Sequence, residues 1–422
     1  MRTFVYQGGT IFSCTECGGK EFRDGIRQAY AKIFPNYELV PLRADHEIYG
    51  KKVGEVLNGR PKIQVITNNV RPLVLHVDED LPLAWQAGQT KTRIDCFQAM
   101  GNLVMYVTDK GVLHARASCV WPAEFKFAAD SDDSGAGDPP QADSPPPPLT
   151  DRWGRPLSPG RHVKYPAERP SAPPRPKGSV KIVRLIWNGN WNPEPLALER
   201  FSRMFAKQTH IRMTVYEPVP IAQVEDSGAA VAILGGQGHF KIEPESLEAL
   251  RKFIRDGGTL VMSAAGGDAT FAQDAQDAMQ NLIPGQRVQT LANKDGIYNM
   301  PRLPDGKLAT GKESDNPIRY RRGTVARLGE DEARNLRLRG IAVGKGSDQR
   351  TAVIFSREDL ADAGLAGYYS YEVDGYDPGE GEKGSAYRVM RNIVVYAMDV
   401  RGRVSTERSA EPATPAQSAK VR

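Results

Sequence analysis

Two short motifs near the start of the chain carry side chains that could bind a metal or move a proton. Cys14 and Cys17 have the C-x-x-C spacing, which binds metals or does redox chemistry at a turn between a strand and a helix. A zinc or iron site would combine Cys14, Cys17 and His46, with a further ligand such as Cys96. The alternative is two small residues packed in a turn. Asp45 and His46 also form a possible acid–imidazole pair.

A glycine-rich stretch in the second half of the chain could hold a ligand. It follows an apolar strand and consists of Gly236, Gln237, Gly238 and His239. Backbone N–H groups in such a turn, together with the next helix N-terminus, could bind an anion or a carbonyl, with His239 as ligand or base. Tight-turn chemistry and a structural histidine are the alternatives. The predicted ligand-binding set also includes Ser263, Gly267, Asp295, Asp45 and His46.

Common catalytic motifs are missing from the sequence. There is no Gly-x-Ser-x-Gly or Gly-x-Cys-x-Gly elbow, which would mark a hydrolase or amidotransferase nucleophile. A Walker loop and a dinucleotide glycine fingerprint are also absent. We therefore assign no catalytic residue.

An internal repeat organises the elements that must position these residues. Residues 2–49 align with residues 251–298 without a gap, and twelve of the 48 pairs are identical, against about three expected by chance. The match resumes at Arg71 with Arg350 and at Asn102 with Asn392. The sequence thus predicts two copies of one fold, of which the first lacks its earlier half. Either an upstream part has been lost or the start was misassigned.

The complete copy alternates strands and helices. Strands are predicted near residues 182–187, 212–216, 230–234, 259–262, 338–343 and 351–355, and helices near 196–208, 244–255, 271–282 and 385–398. This order predicts an α/β fold with a doubly wound, mostly parallel sheet. We call residues 1–122 the N-terminal region (the truncated copy) and residues 180–401 the C-terminal region (the complete copy). A proline-rich linker at 123–179 and a tail at 402–422 are predicted to be disordered.

Composition narrows the class of protein. The 422 residues carry a net charge of only +5, and it does not form a basic patch with interleaved aromatic residues, so nucleic acid is not an expected partner. No apolar run reaches the length of a membrane span, and residues 1–4 are predicted to lead into a strand and not into a signal peptide. Because a targeting signal could precede this start, the compartment is not readable.

Three motifs together resemble a known bacterial family. They are Gly-x-Gly-x-Phe at 236–240, Asp-His-x-Ile-Tyr at 45–49 and Asn-Ile-Val-x-Tyr-Ala at 392–397. The pattern resembles the family catalogued as domain of unknown function 4159, and its members look like relatives of the flavodoxin-type, class I glutamine amidotransferase-like fold. The resemblance implies a histidine where Gln237 stands, acidic residues at Ser263-Ala264, and Asp-His at Lys294-Asp295.

These departures favour a degenerate site. The leading hypothesis is a non-catalytic binding or scaffold module with an unknown protein partner. The alternative is a hydrolase-like or metal-binding enzyme whose site lies in the N-terminal region. That region should also expose apolar sheet edges, so residues 1–120 alone are expected to fold poorly.

Overall fold

The computed structural model describes residues 1–50, 54, 57, 60–107, 178–292, 295, 297–298, 318–335, 337–346, 349–367, 373–377 and 385–410, the last ten by backbone only. Of the predicted linker, only residues 178–179 fall within these ranges. Residues 402–410 of the predicted tail continue the last helix, which spans Ser385–Ala410, so the prediction of disorder is wrong for them. The N- and C-terminal regions belong to one compact unit. Within the described ranges, no helix is long and apolar enough to cross a membrane.

The N-terminal region contains a four-stranded sheet with the order β1-β4-β3-β2. Its strands are β1 (Ile11–Cys14), β2 (Val40–Pro41), β3 (Ile63–Thr67) and β4 (Pro72–Val77). Its helices are α1 (Arg2–Tyr6), α2 (Lys20–Ile33), α3 (Leu81–Gln86) and α4 (Ile94–Val107). The prediction that residues 1–4 lead into a strand is wrong, because residues 2–4 belong to α1. This short helix is held from outside: Arg71 donates a hydrogen bond to the Val5 carbonyl.

The C-terminal region contains a seven-stranded sheet with the order β6-β5-β7-β8-β11-β10-β9. The strands are β5 (Ser179–Ile186), β6 (Arg212–Pro220), β7 (Val231–Gly236), β8 (Thr259–Ala264), β9 (Gln289–Thr290), β10 (Arg339–Val343) and β11 (Arg350–Ser356). The first five in sheet order run parallel, and β10 pairs antiparallel with both of its neighbours, β11 and β9. The predicted α/β class with a mostly parallel sheet is confirmed.

Helices cover both faces of this sheet. They are α5 (Ala197–Thr209), α6 (Pro244–Arg255), α7 (Ala269–Leu282), α8 (Arg322–Leu328), α9 (Ala363–Ala366) and α10 (Ser385–Ala410). One core packs α5 and α10 against the sheet, and a second packs α6 and α7 against the opposite face. Because β7, β8 and β11 are buried at every residue, apolar side chains fill both of their faces.

The two sheets share one pattern of strands. The matching orders are β1-β4-β3-β2 and β8-β11-β10-β9. In each, the first strand pairs parallel with the second, the second antiparallel with the third, and the third antiparallel with the fourth. They differ at one edge. β8 also pairs with β7, whereas β1 is the last strand of its sheet among the residues that the structure describes.

Candidate functional site

The site lies beyond the carboxyl ends of β5, β7, β8 and β11, where open α/β sheets bind ligands. We call this place the crevice. The loops that follow β5 and β7 are bonded to each other across it. The Gln237 N–H donates to the Asn190 carbonyl at 3.0 Å, and the Asn190 side chain donates to Gln237 Oε1 at 2.9 Å. Gln237 Nε2 donates to the Ala265 carbonyl at 3.3 Å, so both ends of the Gln237 amide are bonded within the protein.

A turn from the N-terminal region covers the crevice. Residues 68–70 lie in the connection between β3 and β4, and the apolar side chain of Val70 packs with Ala265, Ala363 and Val373 of the C-terminal region. Asn68 Nδ2 donates to the Pro193 carbonyl at 2.7 Å and to Glu194 Oε1 at 2.9 Å. The N-terminal region thus occupies the place where a ligand of this fold class would bind.

A buried ion pair fixes the turn. Arg71 Nε lies 3.2 Å from Glu194 Oε1, and both side chains are almost fully buried. The remaining donors of Arg71 bond to the Gly9 and Val5 carbonyls. A buried charge is tolerated only when it is paired and hydrogen-bonded. Because the charged partner of Arg71 lies in the C-terminal region and its carbonyl partners lie in the N-terminal region, this arginine couples the two regions.

A second buried ion pair lies beneath the turn. Arg184 Nη1 of β5 is 2.6 Å from Asp362 Oδ1, which follows β11. Burial raises the pKa of the Asp362 carboxyl to about 7, although the charge of Arg184 acts in the opposite direction. The carboxylates of Asp359 and Glu194 add to the increase. The chain itself thus supplies positive and negative groups at the base of the crevice.

Ser263 and Gly267 have structural partners. Ser263 Oγ is fully buried and accepts hydrogen bonds from the N–H groups of Leu360 and Ala361, at 3.1 and 3.3 Å. It therefore ties the end of β8 to the segment after β11. Gly267 has a φ of 73°, and a Cβ there would collide with Asp374. Ser263 and Gly267 therefore have structural roles at the crevice, the first through its hydrogen bonds and the second through the absence of a Cβ.

His239 lies apart from the covered crevice, at the rim of an open cleft. Its side chain is 92% exposed, and its Nδ1 lies 3.2 Å from Asp274 Oδ2. Asp274 also accepts a hydrogen bond from the Phe240 N–H. The cleft has a volume of about 620 Å³ and is bounded by the ends of β5 and β6 and the start of α6. Gly238, between Gln237 and His239, donates its N–H to Asp268 Oδ1 at 3.1 Å.

Asp45, His46 and Asp295 are predicted site residues with local partners. His46 Nδ1 accepts a hydrogen bond from the Ile48 N–H at 3.2 Å, and Asp295 Oδ1 accepts one from the Ile297 N–H at 3.0 Å. These are the same contact at matching positions of the repeat. Asp45 forms an exposed ion pair with Arg43.

The C-x-x-C motif lies at the predicted strand-to-helix turn. Burial raises the pKa of the Cys14 thiol, and Cys17 is exposed, with its N–H donating to Asp80 Oδ2 at 2.7 Å. Across the described ranges, no three His, Cys, Asp or Glu side chains are grouped as metal ligands would be. The structure therefore does not bring Cys14, Cys17 and His46 together as a ligand set, and metal binding stays a prediction.

Several residues at the crevice carried no functional signal in the sequence. Asn68 and Glu194 lie 126 positions apart, so no spacing rule connects them. Arg71 did stand out, since the repeat pairs it with Arg350. Arg350 donates to the Gly258 and Ile254 carbonyls, which are the repeat equivalents of Gly9 and Val5. The alignment therefore paired two arginines that the structure shows with equivalent backbone contacts, and it gave no sign of the Glu194 partner.

Comparisons with known proteins identify a family and no function. A search of curated proteins gives no match to the chain. A family model matches residues 1–108 and 181–398, which fall in the N-terminal and C-terminal regions, respectively, and together make up most of the chain. The chain belongs to the family described as domain of unknown function (DUF4159).

Proposed function

We propose that this chain is a non-catalytic binding module whose amidotransferase-like site is degenerate. The covering of the crevice by residues 68–70 carries the proposal. A hydrolase or amidotransferase needs an accessible nucleophile beside a base. At the crevice, Ser263 Oγ accepts hydrogen bonds from two backbone N–H groups, and both the oxygen and the nitrogen of the Gln237 side-chain amide are hydrogen-bonded within the protein.

The fold supports descent from an amidotransferase-like, flavodoxin-type ancestor. When these five strands alone are numbered in chain order, β6-β5-β7-β8-β11 reads 2-1-3-4-5, which is the flavodoxin-like order. Helices on both faces agree with a doubly wound sheet. The β10-β9 pair extends that sheet on one side.

A duplication of this fold is supported by contacts that recur in both regions. Asn102 Nδ2 donates to the Ile48 carbonyl, as Asn392 Nδ2 donates to that of Ile297. The carboxylate of Asp80 accepts from the Cys17 N–H, as that of Asp359 accepts from the Gly266 N–H. Each pair occupies matching positions in the repeat, and the shared strand order points the same way.

The open cleft beside His239 is where this module would bind a small ligand. Its volume of about 620 Å³ lies within the range of small-molecule sites. Apolar Trp187, Ile221 and Phe240 contribute to its wall, and His239 and Lys241 lie at its rim. The Trp187 indole N–H is already bonded to the Gly235 carbonyl, so its ring contributes apolar surface.

Turnover assays test the absence of catalysis. The purified chain is incubated with an aryl ester, a peptide amide and glutamine, alongside His239→Ala and the control Glu245→Ala, an exposed residue of α6. We expect the wild type and both variants to match the buffer rate. Hydrolysis that disappears in His239→Ala and persists in Glu245→Ala would contradict the proposal.

A further inference from the structure

The outer edge of β1 has backbone groups available for another strand. Within the described ranges β1 pairs only with β4, and the Thr15 N–H donates to the Val77 carbonyl on that side. The N–H and C=O groups of one strand residue point to one side, and those of the next residue point to the other. Because Thr15 faces β4, the N–H and C=O groups of Phe12 and Cys14 face the outer edge. An open edge of this kind is a template for strand addition.

The helices that precede and follow β1 in the chain each carry an exposed aromatic side chain. Phe4 of α1 is 56% exposed and Phe22 of α2 is 49% exposed. Their repeat equivalents are Phe253 and Phe271, which are both buried. In the C-terminal region β7 lies beside β8, and the rings of Trp187 and Phe240 lie 5.7 and 5.2 Å from that of Phe271. The C-terminal region thus shows what covers such a surface.

We propose that the β1 edge, together with Phe4 and Phe22, is a docking site for an apolar β-strand of a partner protein. The strand adds parallel to β1 and is followed by an aromatic side chain that packs on Phe22. In the C-terminal region, the residues that fill these roles are Ala232, Ile233 and Leu234 opposite β8, with Phe240 after them. The proposal is independent of whether the crevice is inert.

A parallel strand distinguishes such a partner from a second copy of this chain. Two β1 strands related by a two-fold axis would pair antiparallel, which does not reproduce the β7–β8 arrangement. The recurring pattern therefore argues against β1 of a second copy as the occupant.

A peptide titration tests the proposal on the full-length chain. The probe is a fluorescent peptide with residues 229–240 of this sequence and a lysine tail for solubility. We expect saturable binding that weakens at least tenfold with Phe22→Glu. The control Leu83→Glu, at a residue 52% exposed on α3, should bind as the wild type does. A peptide with Ile233→Asp should bind at least tenfold more weakly.

Three results would overturn the proposal. They are no saturable binding to the wild type, equal binding by Phe22→Glu, and a wild-type dimer in sedimentation that Phe22→Glu dissociates. The last would assign the edge to a second copy of the chain. Circular dichroism checks that each variant is folded, and Phe4→Glu provides a second variant of the same surface.

Discussion

Replacing Arg71 with methionine should uncouple the N-terminal region from the crevice. The side chain bonds to Glu194 and to the Gly9 and Val5 carbonyls. Arg350→Met is the matched control, because Arg350 makes the equivalent two carbonyl bonds. The difference between the two variants therefore isolates the contact with Glu194.

The size of that difference follows from burial. Removing one partner of a buried ion pair costs about 3–5 kcal/mol, because the other charge is left without compensation. Asn68 still donates to Glu194 in the variant, so we take the lower end, about 3 kcal/mol. The compact unit that contains both regions has more than 300 residues, and its unfolding entropy is about 2.1 cal/mol/K per residue. Its transition temperature should therefore fall by about 4 °C more in Arg71→Met than in Arg350→Met.

Differential scanning calorimetry provides the measurement, and a double variant provides the internal check. Arg71→Met combined with Glu194→Met leaves no unpaired charge, so it should lose at least about 2 kcal/mol less than the sum of the single variants. Equal shifts for Arg71→Met and Arg350→Met, with additive effects in the double variant, would refute the inference that this pair anchors the turn.

Three further outcomes follow from the site. In chemical denaturation, His46→Ala should lower the free energy of unfolding by about 1 kcal/mol. His46→Asp should lower it by almost nothing, because Asp295 accepts the equivalent hydrogen bond from the Ile297 N–H. Equal losses in the two variants would contradict a capping role for His46. Burial raises the pKa of Asp362 from 3.8 to about 7, so the folded state holds its proton more tightly and the free energy of unfolding should fall as pH rises from about 4 to 7. Urea titrations should show this slope, at most about 1.4 kcal/mol per pH unit, and its loss in Asp362→Asn; an unchanged slope would exclude Asp362 as its source. Elemental analysis should find the same metal content in the wild type and Cys14→Ser, whereas zinc or iron at about one per chain, lost in the variant, would favour the metal-binding alternative.

Local signals in the sequence were sufficient for most of the C-terminal region. The helix predicted at 244–255 has those bounds, since Pro244 suits the first turn and Gly257 adopts a positive φ just beyond the end. The same reasoning failed at α1. Its residues favour a strand by type, but the hydrogen bond from Arg71 to the Val5 carbonyl helps to hold them in a helical turn.

The candidate site could be predicted only in part, because its bonds are long-range. The glycine-rich stretch does lie at the carboxyl end of a buried strand. However, the Gln237 and Gly238 N–H groups, which the sequence predicted as donors to a ligand, donate to the Asn190 carbonyl and to Asp268 Oδ1. Residue types show that a group can donate, whereas the partner depends on packing between distant segments.

The energy needed to open the crevice indicates where ligands should bind. A ligand there must displace Val70 from its apolar contacts and break both side-chain donations of Asn68. If this costs about 4 kcal/mol, affinity falls about 1,000-fold relative to an open site. Neither the cleft beside His239 nor the edge of β1 requires such a displacement. Binding at these two surfaces should therefore dominate, and a crevice ligand should bind Arg71→Met more tightly than the wild type.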